Sequence, residues 1–284
     1  MKIVQQNDAF KVFLDLKSIK EKREFLLISD IHFDSKKCNR KALKSMLDEA
    51  AERGASVMIF GDLLDIMGAK YDPRSGKSDI RPEYNTDNYF LAVVDDLCKF
   101  LGPYAKNILF ISKGNHEGSV KRRHEFDLLQ IMAYKLKMEY KWSGLLGPYE
   151  GWVMFDAQIK REEKTLRSYG SATAYYTHGA GGNAPVSRGV IQTNRRQVQI
   201  NADIFISGHI HTQWAVPIPQ RSINTSGIEE VKDVLHLQLG CFKEAHRGEW
   251  EAQKGFGPAN IGGYWLKFAI VDKKLRYVEE RTIY

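Results

Sequence analysis

Short hydrophobic segments recur along this chain, and five of them end in residues that can bind a metal ion. Each segment is bounded by glycine or polar residues, a pattern typical of a strand buried on both faces. The segments begin at Phe25, Val57, Ile108, Ala174 and Ile204. The polar residues that follow them are Asp30 and His32, Asp62, Asn115 and His116, His178, and His209 and His211.

The positions of these polar residues predict that they meet. In α/β proteins, the loops that leave the carboxyl ends of the strands gather along one edge of the sheet, where ligands bind. Carboxylate, amide and imidazole ligands suit Mn²⁺, Fe or Zn²⁺ better than Ca²⁺ or Mg²⁺, which prefer oxygen ligands. A bridging carboxylate, for which Asp62 is the candidate, can hold two divalent ions about 3.5–4 Å apart. The pattern therefore predicts a two-metal hydrolytic centre.

Apolar residues at helical spacing lie between the first strands. They predict helices over Asn39–Gly54, Asp87–Leu101 and Arg123–Met138, and hence right-handed crossovers in a largely parallel sheet. After Trp142 the pattern predicts strands with little helix between them, over Gly151–Lys160, Thr165–Thr177, Val234–Leu239, Tyr264–Val271 and Leu275–Arg281. We expect an α/β fold with one domain over residues 1–284. It would be a four-layer αββα sandwich, with two mixed β-sheets packed face to face and helices outside.

Composition adds an expected compartment and an expected type of partner. At 284 residues, 43% of them hydrophobic, the chain can bury a full core. Three widely separated cysteines, Cys38, Cys98 and Cys241, predict free thiols in a reducing compartment. No apolar segment is long enough to span a bilayer, and the first ten residues lack the apolar region of a secretory signal. We expect a cytoplasmic protein with no membrane partner. The net charge of +7 favours an anionic partner.

Taken in order, the motifs resemble the signature of the calcineurin-like metallophosphoesterases. They read Asp30-x-His32, Gly61-Asp62-x-x-Asp65, Gly114-Asn115-His116-Glu117, His178 and Gly208-His209-x-His211. The resemblance implies one metal ion held by Asp30, His32 and His211, a second held by Asn115, His178 and His209, and Asp62 as the bridge between them. Two divalent ions are the implied cofactors. We favour Mn²⁺, with Fe or Zn²⁺ as the alternatives.

The resemblance also implies a hydrolytic mechanism. A hydroxide between the metal ions would attack phosphorus, and His116 would act as the general acid for the leaving oxygen. Asp65 would orient His116, although an aspartate at this position can instead cap a helix. Glu117 is expected to have a supporting or structural role. The histidines outside the motifs, which are His124, His236 and His246, are expected to be structural.

The substrate is less closely defined, because this family includes monoesterases, diesterases, nucleotide hydrolases and nucleases. Its serine/threonine phosphatases carry Arg-Gly directly after the second motif, whereas Ile66 follows Asp65 here. Basic residues after several motifs could follow a phosphate backbone, while Trp142 and Trp214 could stack on bases. The basic residues are Lys36, Lys37, Lys121, Arg122, Arg123, Arg188, Arg195 and Arg196. The alternative is that these side chains are solvated and that the aromatic residues pack in the core.

Three functions follow from these observations. We expect a metal-dependent phosphodiesterase similar to the DNA repair nucleases of this family, with DNA as its partner and a homodimer as the assembly such nucleases often form. The alternative is a phosphomonoesterase or nucleotide-type hydrolase that acts on a small molecule. A non-catalytic scaffold is disfavoured, because such relatives typically lack ligands or the catalytic histidine, whereas this chain keeps them.

Overall fold

A computed structural model of the chain contains the strands and helices in the expected alternation. It describes residues 1–66, 80–161, 164–182, 184, 186–244 and 257–284. The helices are α1 (Arg40–Glu52), α2 (Tyr89–Leu101), α3 (Asn115–His124), α4 (Leu128–Tyr140) and α5 (Gln192–Gln199). The strands are β1 (Lys2–Gln6), β2 (Ala9–Phe13), β3 (Arg23–Ile28), β4 (Ser56–Phe60), β5 (Ile108–Ser112), β6 (Leu145–Gly147), β7 (Glu150–Arg161), β8 (Lys164–Thr177), β9 (Ile204–Ser207), β10 (Trp214–Ile223), β11 (Glu229–Gln238), β12 (Tyr264–Val271) and β13 (Lys274–Arg281).

Within the described residues the strands form two mixed sheets, which confirms the predicted α/β sandwich. The six-stranded sheet has the order β13-β12-β3-β4-β5-β6, and its strands β3 to β6 are parallel. The seven-stranded sheet has the order β1-β2-β7-β8-β9-β11-β10. In that sheet β9 pairs in parallel with both β8 and β11, whereas β7 and β8 form an antiparallel hairpin.

Alternation along the central strands produces the four layers. In β3 the side chains of Phe25 and Leu27 belong to the core between the two sheets, whereas Leu26 and Ile28 belong to the core beneath α1, α2 and α4. Successive side chains of a strand point to opposite faces, so a strand that is apolar throughout is buried on both sides. A smaller cluster around Phe205 lies on the outer face of the seven-stranded sheet, on the side of α5.

Most predicted elements are present, and one predicted helix begins at the wrong residue. Asn39 caps α1 by accepting a hydrogen bond from the Ala42 backbone N–H, as its position in the sequence indicates. The predicted helix Arg123–Met138 is divided between α3 and α4. Glu125 separates them with a left-handed backbone, φ 53°, and Asp127 then caps α4. Apolar spacing alone does not reveal this break.

Residues 67–79 and 245–256 lie outside the described residues. Tyr84, which follows the first of these segments, is buried, and its hydroxyl donates a hydrogen bond to Asp96 Oδ2 at 2.5 Å. All three cysteines are buried and free. No helix in the described part of the chain is long and apolar enough to cross a membrane.

Candidate metal centre

The ends of five strands bring the predicted ligands together. Strands β3, β4 and β5 are neighbours in the six-stranded sheet, and β8 and β9 are neighbours in the other. Among the described residues, ligand atoms within 4.8 Å of one another form three groups. The first is Asp30 with His32 and His211, the second is Asp62 with His178 and His209, and the third is His32 with Asp65 and His116. Asn115 joins the second group, because its Oδ1 lies 3.1 Å from His178 Nε2. All seven predicted ligands are therefore in one place.

The backbone at these strand ends is unusual. Asp30, His32, Asp62, His209 and His211 all have positive φ, between 45° and 75°. Residues other than glycine rarely adopt this region, and strained backbone tends to cluster at functional sites. Hydrogen bonds between loops maintain it, since the Asp30 N–H donates to Gly61 O at 3.1 Å and the His32 N–H to Asp62 O at 3.0 Å. The strained backbone at the end of β3 is thus held by hydrogen bonds to the end of β4, the adjacent strand.

Asp30 presents one buried carboxylate oxygen that makes no hydrogen bond among the described residues. Its Oδ2 accepts hydrogen bonds from Ser29 Oγ at 2.5 Å and from the His209 N–H at 2.8 Å. Its Oδ1 is buried without a hydrogen bond, and lies 3.3 Å from His211 Nε2 and 3.9 Å from both His32 Nε2 and His178 Nε2. Buried polar atoms normally have a partner. A buried carboxylate oxygen that makes no hydrogen bond and lies near three imidazoles is a suitable ligand for a cation.

His178 and Asp62 form the second half of the centre. His178 Nδ1 lies 3.0 Å from the Phe60 carbonyl oxygen, so Nδ1 carries the proton and Nε2 remains available for a metal ion. His178 Nε2 lies 3.0 Å from Asp62 Oδ2. The other Asp62 oxygen accepts a hydrogen bond from the His116 backbone N–H at 3.0 Å. The mixed nitrogen and oxygen ligands fit divalent cations such as Mn²⁺, Fe or Zn²⁺.

Electrostatics also favour a cation here. Burial raises the pKa of Asp30, but the nearby His178 and His211 outweigh it and hold that pKa at about 2. Burial lowers the pKa of His178, but the carboxylates of Asp62 and Asp30 outweigh this effect and raise it to about 10. Asp30 therefore stays ionised, while the His178 imidazole holds its proton strongly. Metal ions and protons would compete for these ligands.

The predicted catalytic pair, His116 and Asp65, is adjacent but arranged differently from the expectation. His116 Nδ1 lies 2.5 Å from the backbone carbonyl oxygen of Asp65, whereas its distance to the Asp65 carboxylate is 3.8 Å. The carboxylate oxygen Oδ1 instead lies 2.8 Å from both His32 Nδ1 and Lys243 Nζ. Asp65 thus contacts His116 through its backbone and a candidate metal ligand through its side chain. Its part in catalysis stays a prediction.

Three supporting residues lie around this pair. Asp34 accepts hydrogen bonds from the backbone N–H groups of Asp65 at 2.6 Å and Ile66 at 2.9 Å. Glu117 joins two strand ends by accepting from Leu64 N–H and Gly114 N–H, each at 2.9 Å. Asp34 and Lys243 are not among the residues predicted from the sequence. Asp34 was detectable as a third regularly spaced polar residue after Asp30 and His32, but no signal marked Lys243.

Other residues proposed from the sequence lie elsewhere. Trp142 is buried in the core, where its Nε1 donates to Ile108 O at 2.7 Å, so of the two alternatives for this residue, packing in the core is the one observed. Trp214 donates through Nε1 to Arg188 O at 2.9 Å. His236 is stacked on Phe205 with ring centroids 4.5 Å apart. His246 lies outside the described residues.

Comparisons with known proteins agree with this picture. The family model described as calcineurin-like phosphoesterase matches residues 24–213. No curated protein sequence matches the chain.

Several solved structures are similar to the chain at low identity. A metallophosphoesterase from Sphaerobacter thermophilus is 14% identical, with 92% of this chain and 89% of that chain covered and a TM-score of 0.38. Vacuolar Protein Sorting 29 from Cryptosporidium parvum is 14% identical, with 93% and 99% covered and a TM-score of 0.37. A predicted phosphoesterase from Streptococcus pneumoniae is 12% identical, with 92% and 99% covered and a TM-score of 0.32. These similarities are too weak to carry an argument about function.

Proposed function

Since this chain belongs to the calcineurin-like phosphoesterase family and is a metal-dependent phosphoester hydrolase, we propose that it cleaves phosphodiester bonds of nucleic acid, with DNA as the expected substrate. The observation that supports this proposal is the position of α3. Its first turn carries Asn115 and His116 at the candidate metal centre, and its last turn carries the exposed basic side chains of Lys121, Arg122 and Arg123.

The geometry of α3 suits a polyanion that extends beyond the metal centre. Arg123 lies seven residues beyond His116, which is about 10 Å along the helix axis and close to the same face of α3. A basic residue at that distance can contact a phosphate next to the one being hydrolysed. Lys121 is partly neutralised by Asp127, whose Oδ2 lies 3.2 Å from its Nζ. The sequence Asp65-Ile66 also lacks the Arg-Gly pair of the family's protein phosphatases, which supports a substrate other than phosphoproteins.

The proposed chemistry assigns a proton to a particular atom of His116. When bound, two divalent ions would lower the pKa of a water molecule and offset the charge on the phosphate. His116 Nδ1 lies against the Asp65 carbonyl oxygen, so it donates there, and Nε2 is left to carry the transferable proton. His116 Nε2 lies 3.8 Å from Asp62 Oδ2 and faces the candidate centre. We propose that it protonates the leaving oxygen as a general acid.

The first test separates ligands from the general acid. We expect Asp62→Asn to lose bound metal and activity together, because it removes a buried carboxylate from the centre. His116→Ala is expected to keep its metal while kcat for bis-p-nitrophenyl phosphate falls by about 10²–10⁴-fold. Metal content by mass spectrometry and turnover with Mn²⁺ check both results. His124→Ala, at the far end of the same helix, is the matched control. Full activity of His116→Ala would refute its assigned role.

The second test concerns the substrate. Rates on bis- and mono-nitrophenyl phosphate with Mn²⁺ are compared, and single- and double-stranded DNA are digested in parallel. We expect diester hydrolysis and cleavage of at least one form of DNA, both abolished by Asp62→Asn. A strong preference for the monoester together with intact DNA would refute the nuclease proposal. It would support the alternative, a small-molecule phosphomonoesterase or nucleotide hydrolase.

A further inference from the structure

A small cavity lies beside the candidate metal centre. Its volume is about 170 Å³, and its lining includes Gly179, Gly208, Ile210, Gln192 and Arg196. Gly179 directly follows the candidate ligand His178, and Gly208 directly precedes His209. Pockets that bury whole drug-sized ligands are larger, roughly 300–1,000 Å³. The cavity therefore has room for one group of a substrate that also reaches the metal centre.

Arg196, on α5, is the charged residue of this cavity. Its side chain is partly buried, and within the described residues its guanidinium makes neither a hydrogen bond nor an ion pair. Burial lowers the pKa of Arg196, and electrostatic interactions with Tyr175, Glu150 and Tyr149 oppose this shift. An arginine stays protonated in proteins, so this is a partly desolvated cation that no described side chain contacts through a hydrogen bond or an ion pair. Such a group is costly unless an anion satisfies it.

The helix that carries Arg196 contacts the seven-stranded sheet and has a local hydrogen bond at its start. Gln197 Oε1 lies 3.2 Å from His236 Nε2, and the His236 ring is stacked on Phe205. At the start of the helix, the buried Thr193 donates through Oγ1 to Val190 O at 2.8 Å. A binding residue on a helix with such contacts is positioned more precisely than one on a free loop.

We propose that this cavity is a subsite for a second phosphate of the substrate, adjacent to the phosphate that is hydrolysed, and that Arg196 binds it. The proposal rests on the proposed function, because a nucleic-acid strand presents phosphates at successive positions. The planar guanidinium of arginine binds phosphate through two parallel hydrogen bonds. The amide of Gln192, which lines the same cavity, can add a further donor.

The test measures binding rather than turnover. Isothermal titration calorimetry of the Mn²⁺-loaded protein compares thymidine 3′,5′-bisphosphate with thymidine 3′-monophosphate and 5′-monophosphate. We expect the bisphosphate to bind at least about tenfold more tightly than either monophosphate, and Arg196→Met to remove this difference. Arg196→Lys is expected to restore part of it. The matched control is Arg195→Met, which removes the same charge from the neighbouring, exposed position and should keep the preference.

Each other outcome overturns the subsite. Equal affinities in the unaltered protein, no measurable binding of the bisphosphate, or a preference that survives in Arg196→Met all contradict it. Equal losses in Arg195→Met and Arg196→Met would mean general electrostatic attraction instead. The outcome of the diester assay is separate from the outcome of this binding test. A protein that hydrolyses no diester but keeps an Arg196-dependent preference for the bisphosphate would refute the nuclease proposal and leave the subsite standing.

Discussion

At the scale of single residues, the candidate centre depends on backbone atoms as much as on side chains. The Phe60 carbonyl oxygen fixes the ring of His178, the Asp65 carbonyl oxygen fixes the ring of His116, and the His209 N–H occupies one oxygen of Asp30. Motifs identified the side chains. They could not identify these partners, because a contact made by a backbone atom does not depend on the type of residue that provides it.

Gly61 illustrates a position where only glycine fits. Its φ is +82°, and a Cβ there would lie 2.4 Å from His178 Nδ1 and 2.9 Å from Gly114 Cα. We expect Gly61→Ala to destabilise the fold by about 2–5 kcal/mol, from the left-handed backbone and the overlap together. Urea unfolding and metal content measure this. Gly54→Ala is the control, because Gly54 has φ +63° but no heavy atom within 4 Å, so it should cost only about 1–2 kcal/mol. Equal costs would mean that crowding at His178 is unimportant.

Lys243 offers a test of the network behind the centre. Its Nζ lies 2.8 Å from Asp65 Oδ1, the oxygen that also lies beside His32 Nδ1. The substitution Lys243→Met removes the ammonium group beside Asp65, so the Asp65 carboxylate can reorient. We expect metal affinity or activity to fall by about 10–100-fold. Metal titration and steady-state kinetics measure this change. Lys267→Met, in an exposed pair with Glu280, should alter neither. Unchanged metal affinity and kinetics in Lys243→Met would remove Lys243 from the site.

At the scale of elements, the sequence predicted those whose apolar residues are periodic. Strands β3, β4, β5, β8 and β9 and helices α1 and α2 were predicted on this basis. Helix α3 was not, because the residues from Asn115 to His124 have one buried hydrophobic side chain, Val120. Its start is set by Glu117, which accepts from the Gly114 N–H. Strands β1, β2, β6 and β10 were also missed.

Asp203 lies directly before β9 and connects it to β8, and both strands are followed by candidate ligands. Its Oδ2 accepts hydrogen bonds from the backbone N–H and the hydroxyl of Thr173 in β8, both at 2.7 Å, and its Oδ1 lies 2.7 Å from Lys232 Nζ in β11. Burial raises the pKa of Asp203, but the hydrogen bonds from Lys232 and Thr173 outweigh it and lower that pKa below its usual value.

The sign of this shift gives a pH prediction. A carboxylate with a lowered pKa in the folded state adds stability above its unfolded pKa of about 3.9, and this stability is lost as the pH falls through the folded value. We expect Asp203→Asn to reduce the free energy of unfolding by roughly 1–3 kcal/mol at pH 7. The difference from the unaltered protein should shrink below about pH 4. Urea unfolding across this pH range measures it, with the exposed Asp8→Asn as control. A difference that is independent of pH would contradict the ionic contribution.

At the scale of the whole molecule, the sequence predicted the convergence of distant motifs and the sandwich that produces it. Both follow from the apolar residues of the strands and the polar residues at the strand ends, which can be read directly from the sequence. The cavity at Arg196 was not predicted, because it depends on how the segments after β8 and β9 lie against α5. The single domain over residues 1–284, the homodimer, the cytoplasmic location and the choice of Mn²⁺ stay predictions. Light scattering of the purified protein would test the homodimer.

The buried carboxylates of the candidate centre should make the stability of the whole fold respond to metal ions. Asp30 and Asp62 are both buried near His178 Nε2, at 3.9 and 3.0 Å. A ligand that binds only the folded state stabilises it by about 2.7 kcal/mol at one hundred times its Kd. We expect chelation to lower the melting temperature and Mn²⁺ to raise it, as followed by calorimetry. Asp62→Asn should respond weakly. A melting temperature that ignores both treatments would argue against a metal centre.

The position of β9 has a consequence for biosynthesis. His209 and His211 follow a strand enclosed between β8 and β11, and β11 ends at Gln238. A growing polypeptide that has not yet emerged from the ribosome past that residue lacks the neighbour that encloses β9. His209 and His211 would then lack a fixed position, so the candidate metal centre could not be completed before β11 has been synthesised. A partly made chain would accordingly lack part of its predicted ligand set.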